Sequence, residues 1–230
     1  MTNQETKPLS VGIILDGNRR WATERGLPTL EGHRKGAEKV KELMEWAHEL
    51  ALSTVYVYAF STENWNRSPE EVAYLMNLFG EAFTGDLVEE VGKRNGRIVF
   101  IGDRSRLSAE LVQKMEETER ETGSGTGTTL AVCMSYGGRG EILHAANTLI
   151  KAGKEVQTEE EFARALWRSD LPDPDILIRT SGEKRLSGFL TWQSVYSELF
   201  FTDTKWPAFS KEEFHSILAE YGNRERRRGK

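Results

Sequence analysis

At 230 residues the chain is long enough for one large α/β domain, the usual range being ~50 to 250 residues. The net charge of −5, from 31 Lys and Arg against 36 Asp and Glu, argues against a broad nucleic-acid-binding surface, so any basic site must be local. The lone cysteine, Cys133, rules out an intramolecular disulfide, and its apolar surroundings (Leu130 to Met134) favour a buried inert thiol over a nucleophile. Residues 1–9 are polar, unlike a signal peptide, and no apolar run approaches the ~20 residues of a membrane span. A soluble cytoplasmic protein is expected, with a flexible segment at 1–9 ahead of a single domain over 10–230. No linker or internal repeat divides it.

In chain order, Val11 to Leu15 is an unbroken apolar run, which predicts a strand buried on both faces of a parallel sheet. It stops at Asp16-Gly17-Asn18, a turn signal, followed by Arg19, Arg20 and Trp21. Taken alone, the Asp is most simply a turn or helix-capping residue. A helix is expected from about His33 to Leu50, with Val40, Leu43, Met44, Ala47 and Leu50 on one face. Ser53 to Phe60 is β-branched and aromatic, a second strand, and it ends in a polar loop at 61–67. Ser68-Pro69-Glu70-Glu71 starts a helix whose stripe is Val72, Leu75, Met76, Phe79 and Phe83. Such a stripe is ordinarily core.

Arg97 to Gly102 is the third strand, and Leu107 to Glu121 a charged helix. The glycines of 123–127 precede a strand and lack Gly-Lys-Ser/Thr, so they read as a turn and not as a phosphate loop. Thr128 to Met134 is the fourth strand, ending in a loop at 135–140 before another helix. Capping boxes at Thr158–Glu161 and Ser210–Glu213 open two more helices, and Ile176 to Ile178 is the fifth strand. Val195 to Phe201 is apolar apart from Ser197 and Glu198. The repeated strand-loop-helix order predicts a mostly parallel sheet with helices on both faces, and ligands in such sheets sit beyond the carboxyl ends of the strands. The loops at 16–21, 61–67, 135–140 and 179–187 are expected to converge there.

Together these loops offer Arg20, Arg67, Arg179 and Arg185, with His33 nearby, as donors suited to polyphosphate. Asp16 and Glu198 are the carboxylates placed for metal work, hard ligands suited to Mg²⁺. The four histidines have no zinc-site spacing, and no Gly-x-Ser-x-Gly elbow is present. The residues alone therefore indicate a Mg²⁺-dependent enzyme acting on diphosphates, with a greasy second half to its substrate.

The segments DGNRRWA at 16–22, GHRKGA at 32–37, YAFSTENWNR at 58–67, YGGR at 136–139 and RTSGEKRLSGFLTWQ…YSELFFTD at 179–203 resemble the cis-prenyltransferase family of undecaprenyl-diphosphate-synthase-like isoprenyl transferases. The likeness runs from the first strand to the terminal NRERR. It implies a homodimer whose subunits each have a largely parallel six-stranded sheet and about seven helices. The implied reaction condenses isopentenyl diphosphate with an allylic diphosphate such as farnesyl diphosphate, giving a cis-polyprenyl diphosphate of the undecaprenyl type, a precursor of glycan carrier lipid. Peripheral contact with the inner face of the membrane through the lipid product is implied too.

By the same resemblance, Asp16 binds Mg²⁺ and assists departure of the allylic diphosphate, which Gly17, Asn18, Arg19, Arg20 and His33 cradle. Trp21 and Trp65 flank the substrates, and Ser61, Thr62 and Glu63 shape the second loop. Arg67, Arg179, Arg185, Leu186 and Ser187 hold isopentenyl diphosphate, and Glu198 completes the metal site, from the partner subunit if not from its own. Asn64 occupies the position of the proton acceptor; an amide is a very weak base, so its expected part is to orient a diphosphate oxygen that takes the proton. Ser10, Leu15, Thr29 and Gly188 depart from the family pattern, which usually has His, Met, Arg and Asn there. The alternatives are a non-catalytic, partner-binding subunit of the same fold, and a phosphatase or phosphotransferase built on Asp16; the latter lacks a second Asp two residues on, where Asn18 stands.

Overall fold

The computed structural model describes residues 9–224. The amino-terminal segment beyond Leu9 and the terminal arginine cluster after Arg224 lie outside the described residues. Six strands form one parallel sheet: β1 (Ser10–Ile14), β2 (Thr54–Ser61), β3 (Arg97–Ile101), β4 (Thr129–Tyr136), β5 (Ile176–Arg179) and β6 (Glu198–Phe201). Their order across the sheet is β3-β4-β2-β1-β5-β6. Every pairing is parallel, a stricter result than the mostly parallel sheet expected from sequence. The continuous apolar runs have the expected cause. All residues of β1, β4 and β5 are buried because both faces of the sheet are covered.

The helices are α1 (Asn18–Thr23), α2 (Thr29–Glu49), α3 (Pro69–Ala82), α4 (Asp86–Lys93), α5 (Ala109–Thr122), α6 (Gly138–Lys151), α7 (Glu159–Ala163) and α8 (Lys211–Asn223). One core joins Val11, Ile13, Val55 and Val57 of the sheet to Leu43 and Met44 of α2 and Phe214 of α8. The opposite face packs Ile14, Tyr56, Tyr58 and Cys133 against Phe189 and Leu190. Cys133 is buried, and burial pushes its thiol well above the ordinary range, in line with an inert side chain. No helix among the described residues is long and apolar enough to cross a membrane.

Several boundaries differ from the sequence reading. The polar stretch after Asp16 is helical from Asn18 onward, because Gly17 takes a left-handed conformation (φ 100°) that turns the chain straight from strand into helix. α2 begins at Thr29, one turn before His33. Residues 62–66 form a 3₁₀ helix closed by a capping box between Ser61 and Asn64. α4 has no counterpart in the sequence reading; it is short, and its apolar face is only Leu87, Val88 and Val91. The three capping signals hold: Ser68, Thr158 and Ser210 each accept the backbone N–H three residues on.

The glycines of GHRKGA explain how α1 reaches its place. A Cβ on Gly32 would lie 2.0 Å from the Asn18 carbonyl oxygen, and one on Gly36 would lie 2.4 Å from Asn18 Oδ1. These two positions, four apart on one face of α2, form a notch that receives the start of α1. Gly32→Ala should therefore lower stability by about 1–3 kcal/mol through overpacking, measured by chemical denaturation. Unchanged stability would mean that α1 does not seat in this notch.

Candidate active site

The register brings β1 and β5 together at their carboxyl ends, where Ile14 pairs with Arg179 and Asp16 follows two residues on. Arg179 is 5% exposed, and its Nη2 meets Asp16 Oδ2 at 2.9 Å. Its Nη1 donates to Ser187 Oγ at 2.8 Å and to the Arg185 carbonyl at 2.5 Å. Asp16 Oδ1 also accepts from Gly17 N–H at 2.7 Å and lies 3.4 Å from Arg20 Nη2. The Asp16 backbone is held as well: Thr180 Oγ1 donates to its carbonyl at 2.7 Å. This carboxylate is fixed at the tip of β1 and paired to two guanidinium groups.

Around it opens a cavity of about 650 Å³. Its polar end is built from Asp16, Asn18, His33, Asn64, Arg67 and Arg179, together with Ser61, Thr62, Glu63, Ser187 and the glycine-rich start of α6. The rest is apolar, with Val57 and Val132 of the sheet as floor and Val40 of α2 facing Leu75, Leu78 and Phe79 of α3. Ala82, Phe83 and Leu87 line it further along the chain. A second cavity of about 590 Å³ shares Asp16, Asn18, His33 and Arg67 and adds Gly17, Arg19, Arg20 and Thr29. The four loops do converge. Within the α3 stripe, Leu75, Phe79 and Phe83 line the cavity, whereas Val72 and Met76 pack against the core and do not.

Two arginines and a histidine meet on one carboxylate that the sequence reading treated only as part of a helix cap. Glu71 Oε1 lies 3.1 Å from both His33 Nε2 and Arg67 Nη1, and its Oε2 lies 3.7 Å from Arg19 Nη1. Its N–H is capped by Ser68, so one residue serves the cap with its backbone and the site with its side chain. Burial holds the His33 pKa below its ordinary 6.5 against the opposing hydrogen bond to Glu71, so at neutral pH the imidazole is neutral. Burial also lowers the Arg67 pKa. Glu183 does similar work, lying 3.5 Å from Arg20 Nη1 and 2.5 Å from Arg185 Nη1. Only its place within the RTSGEKR stretch could have pointed to it.

Other sequence-named residues sit apart from the cavity lining. Trp65 donates Nε1 to Ser135 Oγ at 3.0 Å, packs edge-on to Phe60 and has Arg106 over its ring, so it braces the 62–66 turn from behind. Trp21 carries the Arg25 guanidinium over its ring at 4.4 Å, and neither it nor Arg185 or Leu186 lines either cavity. Glu198 is not brought to Asp16 within one chain. It opens β6 level with Ile176 and hence with Val11, at the opposite end of the sheet, and pairs with Arg224 at 2.8 Å. Asn64 Oδ1 accepts from Ser61 N–H at 3.1 Å, which leaves its amide N–H groups as what it offers the cavity.

Glu71→Gln should lower the His33 pKa further, since it removes the groups that raise it, and should loosen Arg67 and Arg19. Ring-proton NMR titration checks this: the wild-type value should lie below 6.5 and the variant's lower still. Because a neutral buried histidine must be charged on unfolding in acid, its contribution to stability is present above about pH 6.5 and is lost as pH falls below it. A His33 pKa above 6.5 would contradict the geometry.

The comparisons agree with the fold. A family model described as "Putative undecaprenyl diphosphate synthase" matches residues 14–229. The isoprenyl transferase of Thermotoga maritima is 43% identical over 226 residues, covering 96% of this chain and 97% of that protein. That of Aquifex aeolicus is 44% identical, with 97% and 96% covered. Among solved structures, lavandulyl diphosphate synthase from Lavandula x intermedia, in complex with dimethylallyl diphosphate, superposes with a TM-score of 0.93 at 32% identity, covering 99% of this chain and all of that one. A probable undecaprenyl diphosphate synthase from Campylobacter jejuni gives a TM-score of 0.82 at 33% identity, covering 98% of this chain and all of that one. With its part-buried Asp16–Arg179 pair at the head of an apolar cavity, the chain belongs to the undecaprenyl diphosphate synthase family of isoprenyl transferases.

Proposed function

We propose that this prenyltransferase condenses isopentenyl diphosphate with an allylic diphosphate such as farnesyl diphosphate, yielding a cis-polyprenyl diphosphate of the undecaprenyl type. The observation that carries the reading is the single cavity with two chemistries: a polar end with Arg67, Arg179 and His33, and an apolar remainder between α2 and α3. Guanidinium groups pair bidentately with phosphate oxygens, and apolar walls suit a hydrocarbon tail. In the reaction the allylic C1–O bond breaks, C1 bonds to the terminal carbon of isopentenyl diphosphate, and one proton is lost. Charge develops on the departing diphosphate, which is where fixed cationic donors lower the barrier.

In this reading Asn18, Arg19, Arg20, His33 and Arg67 hold the allylic diphosphate, and Arg179, Arg185 and Ser187 orient isopentenyl diphosphate. Asn64 donates its amide N–H groups to a diphosphate oxygen, and that oxygen takes the proton. Mg²⁺ fits Asp16 jointly with diphosphate oxygens and water, since such ions commonly take one or two carboxylates plus substrate phosphates. Among the described residues no group of three or more His, Cys, Asp or Glu could hold a metal without such help. When bound, the ion would add positive charge against the leaving diphosphate. A second copy of the chain would supply Glu198. Supporting this, Val195 (72% exposed) and Tyr196 (77%) adjoin edge strand β6, and Leu143 and Ile150 of α6 are exposed as well. The reading places the dimer in the cytoplasm, touching the membrane through its product.

Two experiments test it. Asp16→Asn keeps the shape of the side chain and removes its charge, so turnover in a labelled-isopentenyl assay should fall on the order of 10³-fold with the circular dichroism spectrum retained. Near-normal turnover in the folded variant would remove Asp16 from the chemistry. The second concerns product length. Ala82→Trp fills the cavity and should shorten the products seen by chromatography, whereas Val72→Trp, outside the lining, should cost about 1–3 kcal/mol of stability and leave length unchanged. The same length from both variants would mean that the chain does not grow along α3.

A further inference from the structure

The residues that follow β6 carry a tryptophan that the reaction does not use. Trp206 is fully buried and stacks on Phe209. Its backbone N–H donates to the Asp16 carbonyl at 3.0 Å, and its indole Nε1 donates to the Gly36 carbonyl at 2.8 Å. Asp16 and Gly36 both line the cavity, one from the tip of β1 and the other from α2. The two residues before Trp206 extend the same connection. The Thr204 carbonyl accepts from Ser181 N–H at 2.8 Å, and Lys205 Nζ pairs with Glu24 at 3.0 Å, just past the end of α1. Three consecutive residues therefore tie together the loop after β5, the Asp16 turn, α1 and α2.

We propose that Trp206 is a positioning residue for diphosphate binding: its backbone N–H holds the Asp16 turn, and its indole N–H ties that turn to α2 and so sets the width of the polar end of the cavity. It touches no substrate. Gly36 lies well inside α2, whose backbone bonds already engage its carbonyl, so the indole donor adds direction and not helix. Packing alone would need only the ring. Trp46 is the contrast: 7% exposed on the same helix, it packs against Phe214 of α8, and neither cavity includes it. The inference rests on the diphosphate reading of the cavity and deepens it.

The test compares Trp206→Phe, Trp46→Phe and Lys205→Met in the full chain. Three quantities are read: amide exchange by mass spectrometry over residues 15–23 without ligand, calorimetric affinity for inorganic pyrophosphate, and the separate KM and kcat values for both diphosphates. Trp206→Phe should exchange faster over 15–23 and bind pyrophosphate about tenfold more weakly, because small misplacements of a binding group are costly. The KM for the allylic diphosphate should rise more than that for isopentenyl diphosphate. Trp46→Phe should lose thermal stability without moving exchange or KM, and Lys205→Met should follow Trp206→Phe in direction. The proposal is overturned if Trp206→Phe loses stability only, with exchange and both constants within twofold of wild type. If that variant does not fold, wild-type exchange and constants in Lys205→Met overturn it. Faster exchange in Trp206→Phe, with no pyrophosphate binding by the wild type, would uphold the positioning of Asp16 and refute the diphosphate reading.

Discussion

Everything at the site depends on one ion pair, Arg179 to Asp16, at the junction of two parallel strands. Burying a guanidinium is costly unless its donors are met, and here Asp16, Ser187 Oγ and the Arg185 carbonyl meet most of them. Arg179 Nε is buried and without a partner. Removing Asp16 would leave the Arg179 guanidinium buried and charged, which is the costly case. The pair thus does two things at once. It closes the β1–β5 junction, and it holds a carboxylate and a guanidinium side by side at the polar end of the cavity.

The remaining charges follow the same economy. Glu71 gathers Arg19, His33 and Arg67, while Glu183 gathers Arg20 and Arg185. The arginines are therefore held close together, which under the proposed function leaves less ordering to be done on binding. The partners of Glu71 differ in freedom: His33 is buried, whereas the Arg19 side chain is 57% exposed. A ligand can draw the exposed arginines inward while the buried groups keep their geometry. The chain's slightly acidic balance thus coexists with a concentrated cationic site.

Much of this was legible in the chain. Unbroken apolar runs marked β1, β4 and β5 because strands covered on both faces need no alternation. Ser68-Pro69, Thr158 and Ser210 marked helix starts because capping is local chemistry. What sequence missed has equally physical causes. α1 was hidden by Asp-Gly-Asn, which signals a turn whether or not a helix follows at once. Glu71 looked fully explained by its cap, and only folding shows its side chain facing His33, 38 residues earlier. Trp206 drew no reading from sequence, because its two bonds to distant residues leave no local pattern. Glu198 shows the reverse: its motif was plain, but strand register sends it to the far end of the sheet from Asp16.

The central claim is that the polar and apolar parts of one cavity serve a single prenyl condensation. The most direct measurement is a quenched reaction of the purified chain with labelled isopentenyl diphosphate, farnesyl diphosphate and Mg²⁺, followed by solvent extraction and diphosphate assay. The account predicts label in extractable polyprenyl diphosphates and one diphosphate released for each isoprene unit added. Label remaining wholly in isopentenyl diphosphate, with folded protein and both substrates present, would contradict it.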